Sequence, residues 1–346
     1  MNTFDPRNSE DQVARDWKIF TGRGEAHDGL ASLPAPPPWR FAYEQAKLTP
    51  PPTVEAEGED AERRRAMPFI VSDAMKIAVN AALYLRRPLL LTGKPGTGKS
   101  TLVAKVAHEL RMGSVLRWPI NSRSTVRNGI YEYDAVGRLQ AGRNIEPPVQ
   151  DYLKLGPLGT ALLASDWPRA VLIDEIDKSD LDFANDLLNV IEEGEFEIPE
   201  LRRLALPSVK VQDFEGNLVS VEGGRLKCRQ FPFVVMTSNA EREFPAPFLR
   251  RCVRLKIDPP DTEQLLAIVR SHLEEYEDVL NFDEIGRLVA LFDSEQKENQ
   301  DVGTDQVLNA VFLSVAMKDV EGRTFSKEEL NTVRQQLMQP LSGQGT

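Results

Sequence analysis

Two spacings of apolar residues alternate along the middle of the chain. Uninterrupted runs at Pro88 to Thr92 (PLLLT), Val115 to Trp118, Ala170 to Asp174 (AVLID), Phe233 to Thr237 (FVVMT) and Val253 to Ile257 have the length of strands buried on both faces. Between them the spacing turns helical. Met75, Val79, Ala82 and Leu83 follow a Ser72-Asp73 cap, Lys99 to Arg111 is amphipathic, and Leu181, Ala184, Leu187, Leu188 and Ile191 share one face of Ser179 to Glu193. Strands alternating with helices predict an α/β fold, a parallel five-stranded sheet with helices on both faces, over residues 69–258. After Pro259 and Pro260 the strand pattern stops. Four helical patterns follow, at about 261–275, 283–295, 304–318 and 326–338, the third with a core-facing stripe of Val307, Leu308, Val311, Phe312 and Val315. They predict a small all-helical domain over 259–340, ending in a short tail, 341–346.

Residues 1–68 lack either spacing. Proline clusters at Pro34 to Pro38 and Pro50 to Pro52, an acidic stretch from Glu55 to Glu62, and then Arg63 to Arg65 describe an arm unable to bury much apolar surface. Yet Trp17, Ile19, Phe20, Trp39, Phe41 and Tyr43 are too many for a plain linker. They are expected to dock on the folded body; the alternative is a partly disordered arm.

Composition narrows the class. With 41% hydrophobic and 27% charged residues, the 346-residue chain has the balance of a globular protein in water. Its formal net charge of -11 repels a polyanion on average, so nucleic acid is a disfavoured partner. Cys228 and Cys252 lie far apart with no CxxC spacing, which suggests neither a disulfide framework nor a zinc site. No apolar run approaches the ~18 residues of a membrane span, and the N-terminus has no apolar signal core. A cytoplasmic location is the expectation. His27, His108 and His272 show no metal spacing and no nucleophile partner, and are read as structural or solvated.

The chemistry concentrates at the strand ends. Gly93-Lys94-Pro95-Gly96-Thr97-Gly98-Lys99-Ser100 matches G-x-x-x-x-G-K-[ST], directly after an apolar strand and opening a helix, the context that a phosphate-binding loop requires. Its backbone N–H groups would wrap phosphates, Lys99 would pair with the β and γ oxygens, and Ser100, followed by Thr101, would reach Mg2+. Asp174 and Glu175 end a second buried strand; Asp174 would hold the metal and Glu175 would polarise an attacking water. Absence of an N-K-x-D signature favours ATP over GTP.

At Phe233 to Asn239 the residues resemble the AAA+ ATPase superfamily, in which an Asn at the end of such a strand, sensor 1, orients the water near the γ-phosphate. The resemblance implies that role for Asn239. It also implies an arginine finger for a neighbouring subunit's nucleotide, best matched by Arg251 with Arg250 as the alternate. The runs LLLTGKPGTGKST, YLKLGPLGTALL, VLIDEIDKSDLDFANDLLNVIEEGEFEI and FVVMTSNAEREFPAPFLRRC resemble the MoxR group, with Arg123–Leu155 and Pro199–Gln230 as its insertions. In the second insertion, Val209, Val211, Leu218, Val219 and Val221 flank Glu215-Gly216-Asn217, a hairpin pattern. Tyr131 and Tyr133 either line a pore or pack on the body. The helical domain would be an AAA+ lid. Where such lids present a sensor 2 Arg, this chain reads Gly303-Thr304-Asp305-Gln306, leaving that Arg absent or supplied by Arg270 or a neighbour.

The resemblance implies a homo-oligomer, a hexamer in the group, that spends ATP to remodel a protein client, often one containing a von Willebrand factor A domain. A nucleotide-dependent switch or assembly scaffold with slow turnover is the competing reading. A nucleic-acid translocase or loader comes third.

Overall fold

The computed structural model describes residues 17–40, 48–50, 67–141, 147–272 and 304–319, with Gly286 and Thr332. After helix α1 (Asp73–Leu85), the chain runs through β1 (Leu89–Thr92), helix α2 (Lys99–Glu109) and β2 (Leu116–Pro119). It then departs through β3 (Tyr131–Tyr133) and β4 (Leu153–Leu155) before returning as β5 (Ala170–Asp174). Helix α3 (Leu181–Glu193) leads into a second excursion, β6 (Glu195–Glu197), β7 (Ser208–Gln212), β8 (Leu218–Glu222) and β9 (Arg225–Lys227). The chain comes back as β10 (Phe233–Ser238) and β11 (Val253–Lys256), and helices α4 (Thr262–His272) and α5 (Thr304–Asp319) follow.

The five strands predicted from sequence form one sheet of order β11-β1-β10-β5-β2, parallel throughout. Its central strands are buried on both sides, and alternation assigns each residue a side. Val171 and Ile173 of β5 and Val234 and Met236 of β10 enter one core, with Leu187, Leu188 and Ile191 of α3. Ala170, Leu172, Phe233 and Val235 enter the other, against Val79, Ala82 and Leu83 of α1 and Leu102, Val103 and Val106 of α2. Each fully buried Leu, Ile or Val contributes roughly 1.5–3 kcal/mol, so the register is strongly fixed. A one-residue slip would exchange the two faces.

The two excursions contain the expected insertions, 123–155 and 199–230, the second beginning earlier with β6. They join into a second sheet, β3-β4-β7-β8-β9-β6, and the predicted hairpin is its β7–β8 pair, closed by Asp213 Oδ1 accepting from Asn217 N at 2.7 Å. Inward Leu153, Leu155, Val209, Val211, Val221 and Leu226 alternate with outward charged and polar residues and merge with the α3-side core. The strands of the first and second excursions are joined by one parallel bridge, Lys154 with Gln212, and Arg127 and Tyr131 of the first also reach Glu200 of the second. Strand β6 follows α3 immediately, across Gly194 in the left-handed region (φ 66). Tyr131 does not face an opening: it is 2% exposed, its hydroxyl donates to Glu200 at 2.7 Å, and burial pushes its pKa up to about 12. Tyr133 is half-buried, its hydroxyl accepting from Arg138 Nη1 at 3.2 Å. Both cysteines are buried free thiols.

Two of the four expected C-terminal helices are described, α4 and α5; the patterns at 283–295 and 326–338 lie outside the described residues. In α5, Val307 and Val311 are buried as expected, whereas Phe312 is 43% exposed, so the stripe is narrower than its sequence suggests. The side chain of Val315 lies outside the described residues. No helix among the described residues is long and apolar enough to cross a membrane.

Part of the arm docks. Ile19, Phe20 and Leu30 are buried in the α1–α2 core, while Trp17 stays 46% exposed with its ring edge on Tyr84, and Trp39 is 64% exposed. Phe41 and Tyr43 lie outside the described residues. The docking is specified by Asn80, fully buried on α1. Its Oδ1 accepts from Ile19 N (2.7 Å) and Phe20 N (3.0 Å), and its Nδ2 donates to Phe20 O and Lys76 O, both at 2.8 Å. Replacing Asn80 by Leu leaves two buried N–H groups without an acceptor, an expected loss of about 2–4 kcal/mol. Trypsin should then cut faster at Lys18 and Arg23; an unchanged cleavage pattern would contradict this account of the arm.

Candidate functional site

The loop between β1 and α2 is built from backbone conformations that side chains resist. Gly96 (φ 75) and Gly98 (φ 81) are left-handed, and a Cβ on Gly93 would meet Ile257 O at 2.3 Å. The loop thus turns tightly and leaves its N–H groups, with the positive end of α2, to gather negative charge. Lys99 is 8% exposed, and its ammonium donates to Gly93 O at 2.7 Å, Lys94 O at 2.8 Å and Asn239 Oδ1 at 2.9 Å. Burial lowers its pKa, against the opposing pull of Asp174, Asp177 and Glu175. Three acids within electrostatic reach keep a buried cation in place.

Because the sheet is parallel, the polar ends of β1, β5 and β10 converge on this loop. Asp174 Oδ1 accepts from Ser100 Oγ at 3.4 Å and, over a short hydrogen bond, from Thr237 Oγ1. Thr237 Oγ1 in turn accepts from Glu175 N at 3.0 Å, while Glu175 turns into the left-handed region (φ 61). That turn separates the two acids, so that the Glu175 carboxylate accepts from Asn239 Nδ2 at 3.4 Å and pairs with Lys178 Nζ at 2.5 Å. Asn239 therefore bridges Lys99 and Glu175.

Sequence reading missed Asp177, which holds this bridge from behind. It is 5% exposed, its Oδ2 accepts from Asn239 N (3.0 Å) and Glu241 N (3.2 Å), and its Oδ1 has no partner. The only signal was a third acid in D-E-I-D, easily taken for a solvated strand end.

Around these groups lies a cleft of 690 Å³. Its polar lining includes Lys99, Ser100, Thr101, Asp174, Glu175, Thr237 and Asn239, and its apolar lining Phe69, Ile70, Met75, Ile257, Ile268 and Leu308. His272, read as structural or solvated, also faces the cleft, its Nδ1 placed 2.9 Å from Ile268 O. Thr304 at the start of α5 lines it as well; the side chain of Asp305 lies outside the described residues. Arg270 is exposed on α4 and does not line the cleft.

The two finger candidates sit apart from it. Arg251 Nε donates to Glu192 Oε2 at 3.0 Å and Nη2 to Asn189 Oδ1 at 2.8 Å, binding it to α3 of its own chain. Burial pushes Glu192 up, but Arg251 and then Arg40 more than offset this and hold the carboxyl below its ordinary value. Arg250 is exposed. Among the described residues no group of three or more His, Cys, Asp or Glu is arranged to hold a metal by itself.

Truncating Asp177 to Ala strips two partly buried N–H groups of their acceptor, and should cost about 1–3 kcal/mol in chemical denaturation. Asp177→Asn, which keeps one acceptor oxygen, should lose less; equal losses would deny Asp177 its role as acceptor.

Residues 88–252 match the family model described as AAA domain (dynein-related subfamily). A comparison with curated proteins finds no match. Among solved structures, domain III of the Thermotoga maritima replication initiation protein DnaA is 17% identical at a TM-score of 0.42, covering 80% of this chain and 98% of that one. The matched residues contain the glycine loop, the acids after β5, Asn239 and both finger candidates, on a sheet of the order described above. Residues 88–252 are thus similar to an AAA domain, and the parallel five-stranded sheet with helices on both faces is the AAA+ P-loop fold.

Proposed function

We propose that this protein binds ATP with Mg2+ in the 690 Å³ cleft and hydrolyses it. The observation that carries the reading is the meeting of Lys99, Ser100, Asp174, Glu175 and Asn239 in one cleft that also has apolar side chains in its lining. Nucleotides combine the two: a charged triphosphate and a flat base. The loop from Gly93 to Thr101 holds the phosphates, and Lys99 exchanges its carbonyl partners for β and γ oxygens. Ser100 Oγ and Asp174 Oδ1, 3.4 Å apart, are hard oxygen donors suited to Mg2+, which needs only one or two protein ligands beside phosphate and water. The ion supplies charge neutralisation on the phosphate oxygens when bound. Glu175 accepts the proton of the attacking water, and Asn239, which already touches both Glu175 and Lys99, orients that water at the γ-phosphate.

A trans-acting Arg would make turnover depend on assembly. Of the two candidates, Arg250 is exposed and points to the finger role, whereas Arg251 would first have to leave Glu192 and Asn189. On this reading the protein is a homo-oligomer, a hexamer by its MoxR-like runs. Motion of α4 and α5 against the sheet is passed to a protein client, one with a von Willebrand factor A domain being the first to try, and the location is cytoplasmic.

A slower switch or scaffold is the second reading. It is favoured by the Glu175–Lys178 ion pair, which occupies the general base, and by the lack of any Arg among the described residues lining the cleft.

Phosphate release and nucleotide binding by purified protein separate these. Lys99→Ala should abolish both, whereas Glu175→Gln should keep binding and lower turnover by at least about 100-fold. Arg250→Ala should lower turnover on the order of 10³-fold with binding intact. Undetectable release from wild type in every oligomeric state and with every candidate partner would leave only the switch.

A further inference from the structure

Helix α2 carries two buried charges one turn apart, and each fastens a different stretch of the arm. Glu109, fully buried, accepts from Thr21 N (2.5 Å), Thr21 Oγ1 (2.9 Å), Gly22 N (3.1 Å) and Gly24 N (2.9 Å). Lys105, 5% exposed, donates from Nζ to Phe69 O at 2.7 Å and Met67 O at 3.1 Å. Burial lowers the Lys105 pKa and Glu109 opposes the shift.

Of the residues fastened by Lys105, Phe69 walls the cleft, with its neighbour Ile70. Both belong to its apolar lining, and the Phe69 ring lies so close over the phosphate loop that a Cβ on Gly98 would meet Phe69 Cε2 at 2.4 Å. Met67 and Ile70 are themselves 43% and 45% exposed, and the stretch is held by the partial packing of Phe69 and Val71 on the α1–α2 core and by the backbone carbonyls bound to Lys105. Those two hydrogen bonds are charge-assisted and stronger than neutral ones. The helix that presents the phosphate loop at one end therefore sets the distance between that loop and the base wall.

We propose that Lys105 is a positioning residue for base recognition: through the carbonyls of Met67 and Phe69 it holds Phe69 and Ile70 against the base of a nucleotide whose phosphates occupy the Gly93–Thr101 loop. This rests on the reading of the cleft as an ATP site and adds which part of the ligand Lys105 acts on. A residue that merely stabilised the fold would affect any ligand of the cleft alike. Lys105 acts on the base and spares the phosphates.

Calorimetric titration of the full chain with Mg2+-ATP and with Mg2+-tripolyphosphate tests this, since the second ligand has the charge and no base. Lys105→Met should weaken ATP about tenfold and change tripolyphosphate by less than about twofold, with Lys105→Arg recovering most of the difference. Phe69→Ala, which removes the wall and leaves Lys105 in place, should reproduce the same selective loss. Equal weakening of both ligands by Lys105→Met, or unaltered ATP affinity in the folded variant, overturns the proposal. If Lys105→Met does not fold, Lys105→Gln is titrated in its place against the same criteria. A wild type that binds neither ligand removes the ATP reading itself. A wild type that holds tripolyphosphate as tightly as ATP keeps the phosphate site and overturns the base wall.

Discussion

Burial of the sheet on both faces is the constraint from which the site follows. β1, β5 and β10 pass between two cores, so none can carry a charge along its length: an unpaired ion there would cost several kcal/mol. Polar chemistry is deferred to the last residue or two of each strand, Thr92, Asp174, Thr237 and Ser238. Since the strands are parallel, all of those ends fall on one edge. The sequence adds only a glycine loop at that edge, and cation, hydroxyl, acids and amide come within hydrogen-bonding distance of one another. A mixed sheet from the same residues would have scattered them over two edges.

Much of this was legible before any coordinates, for a physical reason. Apolar runs such as AVLID report burial directly, and the phosphate loop is a local motif whose glycines are dictated by its own backbone. Lys99, Ser100, Asp174, Glu175 and Asn239 meet as their positions after those runs imply. Groups whose roles depend on distant partners were not legible. Asp177 matters because it receives N–H groups 62 and 64 residues onward. Lys105 and Glu109 read as ordinary helix residues until Met67, Phe69 and residues 21–24 are laid against them. β6 has only Phe196 as an apolar position, too little for a period to register, and the joining of two excursions through one Lys154–Gln212 bridge leaves no trace in either.

Arg251 illustrates the same limit from the other side. Its place before β11 is what an arginine finger requires, but sequence is silent on whether the side chain already has a partner. Glu192 and Asn189 give it one, and Arg40 from the arm shares the same carboxylate. The arm thus meets the folded body at α1 through Asn80, at α2 through Lys105 and Glu109, and beside the finger candidates through α3.

Helix α3 has a mechanical consequence. It starts from the turn that holds Glu175 and Asp177, spans thirteen residues, and passes through Gly194 into β6 of the second sheet with no linker between. At 1.5 Å per residue it is a rod of about 20 Å. Its length is buried against the sheet through Leu187, Leu188 and Ile191. A rigid displacement of that rod would be carried from the acids of the cleft to the second sheet, whose β3–β4 end is tied in by the Lys154–Gln212 bridge and by Glu200, which accepts from Tyr131 and pairs with Arg127.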